Sequence, residues 1–367
     1  MRSFFYEWLV HVFFWTIVTL LFTVIYLSNL NFILEYLVAA DRLKADPIIA
    51  YMLSNYQYLE AIMFGVLFGS ATFGVNIAVD FTAIHTLSFG RVIVIKSLLY
   101  IVLVVIVTSV MAGIIINSGI NNLELEDYFQ FLVKTRFPWY FYLGGISFFV
   151  LSTMLINFIS LMNRKFGPGQ MWLIFLGKYS KPITENRIFM FLDLKDSTTI
   201  AEKLGHIIYS KLLQQVFLDM SKLILRSDAE IYQYVGDEAV LTWKIKNYDT
   251  EFIKPIQLFF AYRRRLEKRK SYYKNKFGLM PEFKAGVNAG VVTVAEIGDL
   301  KREIAYHGDV VNTAARLRSA CNEFNKQLLA SEYVIKNLKE PIEYSIEEIG
   351  EVNLRGKRNP IKVFSID

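Results

Sequence analysis

The chain has 367 residues, of which 54% are hydrophobic and 15% aromatic, and its mean hydropathy is +0.34. These values exclude an ordinary soluble enzyme of one domain, and the length allows two or three domains. Residues 1–162 contain 7 basic and 9 acidic side chains, whereas the remaining residues contain 33 and 25. This split predicts a membrane half followed by a soluble half that handles anions.

Cysteine usage adds a further limit. The single cysteine, Cys321, excludes an internal disulfide framework and fits a reducing compartment. Its simplest interpretation is a small, buried, apolar side chain.

Four apolar segments approach the roughly 20 residues that are needed to cross a bilayer. They lie at about residues 10–30, 59–79, 92–116 and 139–162. No small-residue cleavage site follows the first, so we interpret it as an anchor and not as a signal peptide. Basic residues flank the second link and follow the fourth segment, whereas Glu124, Glu126 and Asp127 occupy the third link. This bias predicts a multi-pass protein of the cell inner (plasma) membrane, with both termini and the soluble half in the cytoplasm.

The membrane segments also contain small and ionisable residues. The second segment has three glycines that permit close helix packing; they are Gly65, Gly69 and Gly74. The ionisable residues at or near membrane depth are His11, Glu60, His85 and Lys96. The histidines could be haem or metal ligands, or the set could sense an ion or a quinone. Interfacial or snorkelling side chains are the interpretation that we favour.

A short joint, residues 163–186, separates the two halves. Gly167, Pro168 and Gly169 form a turn that stops the fourth helix from running straight into the soluble half. The apolar residues 171–176 are too few to span a membrane and predict a short packing or interfacial helix.

The soluble half, residues 187–367, alternates strand and helix signals and predicts an α+β domain. Asp196, Ser197 and Thr198 offer N-cap side chains and free backbone N–H groups at a helix start. The predicted order is a strand ending at 193, a helix 198–226, a hairpin of strands 230–235 and 239–243, a helix 250–270, strands 282–288 and 291–297, and a strand–turn–helix block 304–319.

Two of these strands deliver an aspartate at their end. Asp193 follows one apolar run, and Asp237 follows another with Gly236 before it. Two carboxylates held together repel unless cations lie between them, and oxygen ligands suit a divalent ion. Ordinary strand-to-turn aspartates are the alternative for either residue alone. The pair, with the motifs downstream, favours a metal site.

The motifs FLDLKDST, YVGDEAV, FKAGVNAG and HGDVVNTAARL, in this order, resemble the class III nucleotide cyclases, the adenylate and guanylate cyclases. The resemblance covers the soluble half. It implies a ferredoxin-like cyclase domain, a mixed or antiparallel sheet flanked by helices, behind a four-helix transmembrane domain.

The resemblance also implies a role for each matching residue. The metal-binding set is Asp193, Asp237 and the backbone carbonyl of Leu194, which would hold two Mg²⁺ or Mn²⁺ ions per site. The phosphate-binding set is Lys195, Asp196, Ser197, Thr198 and the late basic residue Lys357, for which Arg355 is an alternative. Asn312 would orient the ribose, and Arg316 would stabilise charge on the transferring phosphate.

Substrate and partners follow from the same resemblance. The base-selecting positions hold Gln233 and Ala305, which match neither the adenylate nor the guanylate pattern, and ATP is favoured as the nucleoside triphosphate. Because family sites combine residues of two subunits, we expect a head-to-tail homodimer in the lipid bilayer. The basic run at residues 262–276 is interpreted as a solvated helix face, so no nucleic acid is expected as a partner.

Four alternatives remain open at this point. A guanylate cyclase or a low-selectivity, degenerate receptor domain would bind nucleotide in the same cleft. A diguanylate cyclase has a Gly-Gly-Asp-Glu turn, but only Gly236 is present here and the VNTAAR helix has no place in that family. A scaffold without catalysis would not need Asp193, Asp237, Asn312 and Arg316 together.

Overall fold

The chain folds into two compact units, Met1–Pro168 and Gly169–Asp367. The computed structural model describes residues 2–27, 36, 39, 56–81, 89–117, 139–166, 173, 174, 176–300, 302–339, 343–353 and 360–367. The predicted turn of Gly167, Pro168 and Gly169, half of the short segment 171–176, and His85 lie outside the described residues.

The first unit consists of long apolar helices. They are α1 (Arg2–Phe22), which continues into a π-helical turn (Thr23–Leu27), α2 (Tyr56–Phe81), α3 (Phe89–Asn117) and α4 (Trp139–Phe166). By length and composition each is able to cross a membrane. The prediction of four such helices at the N-terminal end is confirmed.

Glycines allow α1 and α2 to pack closely. A Cβ atom added at Gly65 would lie 2.4 Å from Thr16 Cα, and one at Gly69 would lie 2.6 Å from Val12 Cα. Only glycine fits at such a distance, as at small-residue contacts between membrane helices. Gly74 has no such neighbour within 4 Å. The predicted role in packing therefore holds for two of the three glycines.

Polar side chains also join α1 to α2. His11 is buried, and its Nε2 lies 2.9 Å from Asn76 Nδ2 while its Nδ1 lies 3.4 Å from Thr72 Oγ1. Lys96 on α3 is also buried. Both side chains are thus enclosed by the described helices, and the interfacial or snorkelling interpretation stays a prediction.

The second unit alternates strands and helices. Its strands are β1 (Ile183–Leu194), β2 (Glu230–Val235), β3 (Glu238–Lys244), β4 (Phe283–Ile297), β5 (Glu303–His307), β6 (Leu328–Ser331), β7 (Ile346–Val352) and β8 (Ile361–Ile366). Its helices are α5 (Ser197–Arg226), α6 (Tyr248–Glu251), α7 (Ile253–Lys268), α8 (Lys270–Phe277), α9 (Asp309–Glu323) and α10 (Glu332–Lys336).

The described strands form one mixed sheet. Its order is β2-β3-β1-β4-β6-β8-β7, with β5 paired to β4. β4 and β6 are parallel, and the other neighbours are antiparallel. Helices cover both faces, so the α+β class and the mixed sheet flanked by helices are confirmed.

The central strand β1 explains how the core is divided. Ile188, Met190 and Leu192 pack in one buried cluster with α5 and α7, whereas Phe189 and Phe191 pack in a second cluster that includes Ala314 of α9. Alternate side chains of a strand point to opposite faces. A strand buried on both faces reads as a continuous apolar run, as β1 does.

Two predicted elements differ in number from the observed ones, and the expected joint at 163–186 is shortened by α4, which ends at Phe166, and by β1, which begins at Ile183. The strands expected at 282–288 and 291–297 are one strand, β4, because Gly290 continues the pairing with φ +155° where a Cβ would lie 2.8 Å from Val310 Cγ2. The helix expected at 250–270 is broken after Glu251 and extends to Phe277. Pro255 accounts for the first break, because it has no N–H to bond the carbonyl of Glu251.

The basic run is not simply a solvated face. Tyr262 and Tyr273 are buried, and the Tyr273 hydroxyl donates to Asp219 at 2.7 Å. Arg265 and Arg269 pair with the same buried carboxylate. Part of the run therefore ties α7 and α8 to α5.

Candidate active site

Three strands bring charged side chains to one edge of the sheet. Asp193 lies near the end of β1, directly opposite Glu238 of β3 and Lys284 of β4. All three are buried, with 8% of each residue exposed. Residues opposite one another on antiparallel strands lie on the same face, so these charges share one location.

Asp237 lies in the tight turn between β2 and β3. Gly236 precedes it with φ +62°, a left-handed conformation that favours glycine. The turn places the Asp237 carboxylate beside the end of β1, where its charge acts on Asp193.

The pKa of the Asp193 carboxyl is raised, and its causes are burial and the neighbouring charges. Burial raises the pKa of its carboxyl, the charge of Arg318 lowers it, the charge of Asp237 raises it and Lys284 lowers it. Burial likewise raises the pKa of Glu238, which Arg318 opposes. The cluster therefore holds acidic groups that need cations to remain ionised together.

Those cations come from two elements of the same chain. Arg318 on α9 places Nη1 3.2 Å from Asp193 Oδ2 and Nη2 2.7 Å from Glu238 Oε2. Lys284 Nζ lies 3.3 Å from Asp193 Oδ2 and donates to Asn322 Oδ1 at 3.0 Å. Sequence reasoning missed Arg318 and Lys284, since neither lies in a motif position with an assigned role.

The backbone of Leu194 faces the same region. The N–H of Lys195 donates to the carbonyl of Glu282 at 2.9 Å, towards β4. Successive strand residues direct their backbone groups to opposite neighbours, so the Leu194 carbonyl points to the other side, where Asp237 leads into β3. One carbonyl and two carboxylates thus face a common region.

These residues fit a divalent cation by their donor chemistry. Carboxylate and carbonyl oxygens are the ligands that Mg²⁺ and Mn²⁺ prefer. Among the described residues no group of three or more histidine, cysteine or acidic side chains is arranged to hold a metal. A bound ion would therefore take its remaining ligands from the backbone, water or phosphate oxygens, as Mg²⁺ commonly does.

The start of α5 differs from the predicted cap. Asp196 has φ +54° and precedes the helix, but its side chain makes no capping hydrogen bond. The first backbone N–H groups of α5 consequently remain available to an anion.

Tyr209 on α5 lies near the same acidic groups. Burial and the charge of Asp237 raise the pKa of its hydroxyl, which also bonds the Ser197 side chain.

Asn312 and Arg316 lie one turn apart on α9. The helix begins after Gly308, and Thr313 Oγ1 donates to Asp309 Oδ2 in its first turn at 3.3 Å. Asn312 is exposed and Arg316 is partly exposed. Within the described part of the chain neither side chain makes a hydrogen bond or an ion pair, so the chain does not join them to its own aspartates.

The two base-selecting candidates lie on different strands. Gln233 is exposed on the edge strand β2, next to a bulge, whereas Ala305 is buried on β5. Three strands, β3, β1 and β4, separate β2 from β5 in the sheet. Lys357 and its alternative Arg355 lie outside the described residues.

Cys321 is buried and free, as its interpretation predicts. Burial raises the pKa of its thiol to about 12. The thiol is therefore protonated at neutral pH, as is typical of a structural cysteine.

Relatives with known names share part of this sequence. Adenylate cyclase 2 of Rhizobium meliloti (strain 1021) is 32% identical over 213 residues, which cover 58% of this chain and 58% of that protein. The adenylate cyclase of Anabaena cylindrica is 26% identical over 229 residues, 60% of this chain and 45% of that protein. The chain thus spans about half the length of the curated relatives that it matches.

A solved structure shares the fold. The structure of a bacterial light-regulated adenylyl cyclase superposes with a TM-score of 0.51 at 19% identity, covering 59% of this chain and 62% of that one. The profile of the adenylate and guanylate cyclase catalytic domain family matches residues 180–367, more than half of the chain. The four motifs, the mixed sheet and this match agree, and the chain belongs to the adenylate and guanylate cyclase family.

Proposed function

We propose that this protein is a membrane-anchored adenylate cyclase, which converts ATP to cyclic AMP and pyrophosphate with divalent cations in a homodimer. The observation that carries the proposal is that Asp193, near the end of β1, lies opposite Glu238 of β3, the residue that directly follows Asp237. The charge of Asp237 raises the pKa of Asp193, so the two carboxylates act on the same space. The named relatives are adenylate cyclases, which supports ATP as the substrate.

The reaction is an attack of the ribose 3′-oxygen on the α-phosphorus, with pyrophosphate as the leaving group. Two Mg²⁺ or Mn²⁺ ions, when bound, would favour the alkoxide and neutralise charge on the phosphates. Asp193, Asp237 and the Leu194 carbonyl would hold them. The backbone N–H groups of residues 195–198, at the start of α5, would bind the β- and γ-phosphates, together with Lys357.

Asn312 and Arg316 would complete the site. The amide of Asn312 would orient the ribose, and the guanidinium of Arg316 would stabilise the charge that develops on the transferring phosphate. Because neither side chain makes a hydrogen bond or an ion pair within the described part of its own chain, we infer that they act on the nucleotide held by a second copy.

Exposed apolar side chains support a second copy. Ile231, Tyr234 and Val235 on the edge strand β2 are 41%, 45% and 52% exposed. Ile207 and Leu218 on α5 are 75% and 51% exposed. A head-to-tail dimer would cover part of this surface and give two equivalent sites.

The four long helices would anchor this domain in the cell inner membrane. The excess of basic residues after the fourth helix, seen in the sequence, supports a cytoplasmic location of the catalytic unit. The net excess of basic residues in the soluble half suits a polyanionic substrate.

The test is an assay of the full-length protein in lipid nanodiscs with Mn²⁺ and either ATP or GTP. We expect cyclic AMP from ATP to form faster than cyclic GMP from GTP, because the adenylate cyclase relatives favour ATP. Asp193→Asn should lose at least about 100-fold of the activity, since a metal ligand is removed. Glu351→Gln, on exposed β7, is the matched control. Failure to form any cyclic nucleotide, or formation of cyclic di-GMP, would reject the proposal.

A further inference from the structure

Two cations of the same chain lie beside one carboxylate oxygen of Asp193. Arg318 Nη1 and Lys284 Nζ both lie beside Oδ2, at 3.2 and 3.3 Å. The Asp193 side chain is only 11% exposed, so water screens these ion pairs weakly. A divalent cation at Asp193 would share a carboxylate that already has two positive neighbours.

Arg318 donates a hydrogen bond from Nη1 to Asp193 Oδ2, but part of its guanidinium lacks such a partner among the described residues. Its Nη2 approaches Glu238 Oε2 at 2.7 Å without hydrogen-bond geometry, and its buried Nε has no hydrogen-bond partner among the described residues. A buried N–H without a partner carries a free-energy cost. The side chain is also 26% exposed, which gives it a route towards solvent.

Lys284, in contrast, is fixed by the sheet. It lies directly opposite Asp193 in the β1–β4 pairing, and its ammonium also donates to Asn322 Oδ1. The position of Lys284 therefore depends on strand register, whereas the position of Arg318 depends on where α9 packs.

The position of Arg318 on α9 joins the two halves of the proposed site. Arg316 lies two residues earlier, and two residues correspond to about 200° around a helix. Leu317 between them is buried against the sheet. Arg318 and Arg316 thus flank the buried face on opposite sides, one directed at the chain's own aspartates and the other away from them.

The backbone of α9 packs directly against β4, which restricts movement of the helix relative to the sheet. A Cβ atom at Gly286 of β4 would lie 2.2 Å from the Arg318 backbone nitrogen. Backbone and strand are therefore in direct contact at this residue. If Arg318 changed its partners, the contact between the α9 backbone and β4 at Gly286 would be affected.

We propose that Arg318 competes with the divalent cation for Asp193 and Glu238, and so couples cation binding in one chain to the helix that supplies Asn312 and Arg316. This inference rests on the proposed function, in which Asp193 and Asp237 bind the cation. Arg318 is a positioning residue in this scheme, because it acts through the carboxylates. The competition sets the cation concentration at which the site fills.

The test is Mn²⁺ titration of the full-length protein without nucleotide, with free Mn²⁺ measured by electron paramagnetic resonance. Arg318→Gln should bind Mn²⁺ about tenfold more tightly, because one positive charge next to the ion is removed. Arg318→Lys keeps the charge and should bind with an affinity close to that of the wild type. Unchanged or weaker binding by Arg318→Gln would overturn the proposal.

Asp193→Asn separates the two ideas. If it binds Mn²⁺ as well as the wild type does, the assignment of the metal site fails, and the inference fails with it. If it loses Mn²⁺ binding while Arg318→Gln does not gain any, the inference alone is wrong.

A second measurement needs no variant at Arg318. Hydrogen exchange of the wild-type protein is followed for the amides of residues 314–320 with and without saturating Mn²⁺. We expect faster exchange with Mn²⁺, because Arg318 loses partners that hold α9. Equal or slower exchange would count against the coupling even if Arg318→Gln does not fold.

Discussion

At the scale of single residues, Arg187 shows how the catalytic unit accommodates a buried charge. Its side chain is 1% exposed; Nε donates to Glu185 Oε2 and Nη1 donates to Glu230 Oε2, each at 2.8 Å. The guanidinium also lies 4.8 Å from the centre of the Tyr306 ring. Every charge in this group therefore has a partner, as a buried ion requires.

Glu185 gives a prediction about pH. Burial alone would raise its pKa, but hydrogen bonds from Lys244 and Arg187 outweigh it and lower the pKa to about 2. The folded pKa lies below the ordinary 4.5, so the stabilisation is present above pH 4.5 and is lost as pH falls towards 2. Protonation of Glu185 therefore lowers the free energy of unfolding by about 3 kcal/mol.

The measurement is urea unfolding of residues 169–367 between pH 7 and pH 2.5, followed by circular dichroism. Glu185→Gln should be less stable at pH 7 by about 3 kcal/mol, since Arg187 loses a buried partner. Its stability should also fall less steeply below pH 4.5. Glu351→Gln, on the exposed side of β7, serves as the control. Parallel pH curves for wild type and Glu185→Gln would contradict this assignment.

The single residues show where sequence reasoning stops. Asp193 and Asp237 could be found because each follows an apolar run, and a strand end is visible in sequence. Lys284 could not, because its meeting with Asp193 depends on the β1–β4 register across ninety residues of chain. Arg318 is two positions after Arg316, and only the packing of α9 shows that it turns towards Asp193.

At the scale of elements, glycines and prolines decide where packing and boundaries lie. Gly65 and Gly69 put α1 and α2 in backbone contact, and Pro255 separates α6 from α7. The periodicity of apolar residues predicted which segments of the soluble half are strands and which are helices, but it did not predict where these elements begin and end. The effect of Gly290 depends on Val310, a neighbour in space and not in sequence.

Gly69 and Gly74 form a matched pair for a test of helix packing. In Gly69→Ala the new methyl would meet Val12 and the His11 carbonyl, so α1 and α2 must separate. We expect a loss of about 1–3 kcal/mol in stability. Gly74→Ala meets nothing and should be neutral or slightly stabilising through helix propensity. Thermal unfolding in detergent, followed by circular dichroism, measures both; equal transition temperatures would contradict the contact.

At the scale of the whole molecule, a homodimer makes a quantitative prediction. Asp237→Ala and Arg316→Ala should each be nearly inactive, because they remove opposite halves of both sites. In a co-expressed equal mixture half of the dimers are mixed, and each mixed dimer has one intact site. The expected recovery is about a quarter of the wild-type activity, measured as cyclic AMP formed per mole of chain.

The control uses two changes in the same half of the site. Asp237→Ala mixed with Asp193→Ala leaves no intact site in any pairing, so no activity should return. Recovery in this control, or none in the first mixture, would be incompatible with sites shared between two chains.

The strand β4 has a consequence for synthesis. It pairs with β1, β5 and β6, so three parts of the sheet meet on it. During translation the helices of the first unit and the Asp193 strand emerge well before residues 283–297 do. The sheet edge that gathers the acidic groups cannot close until then, because non-local strand pairing waits for its partner. Until β4 has left the ribosome, the nascent chain therefore carries an unfinished cyclase domain.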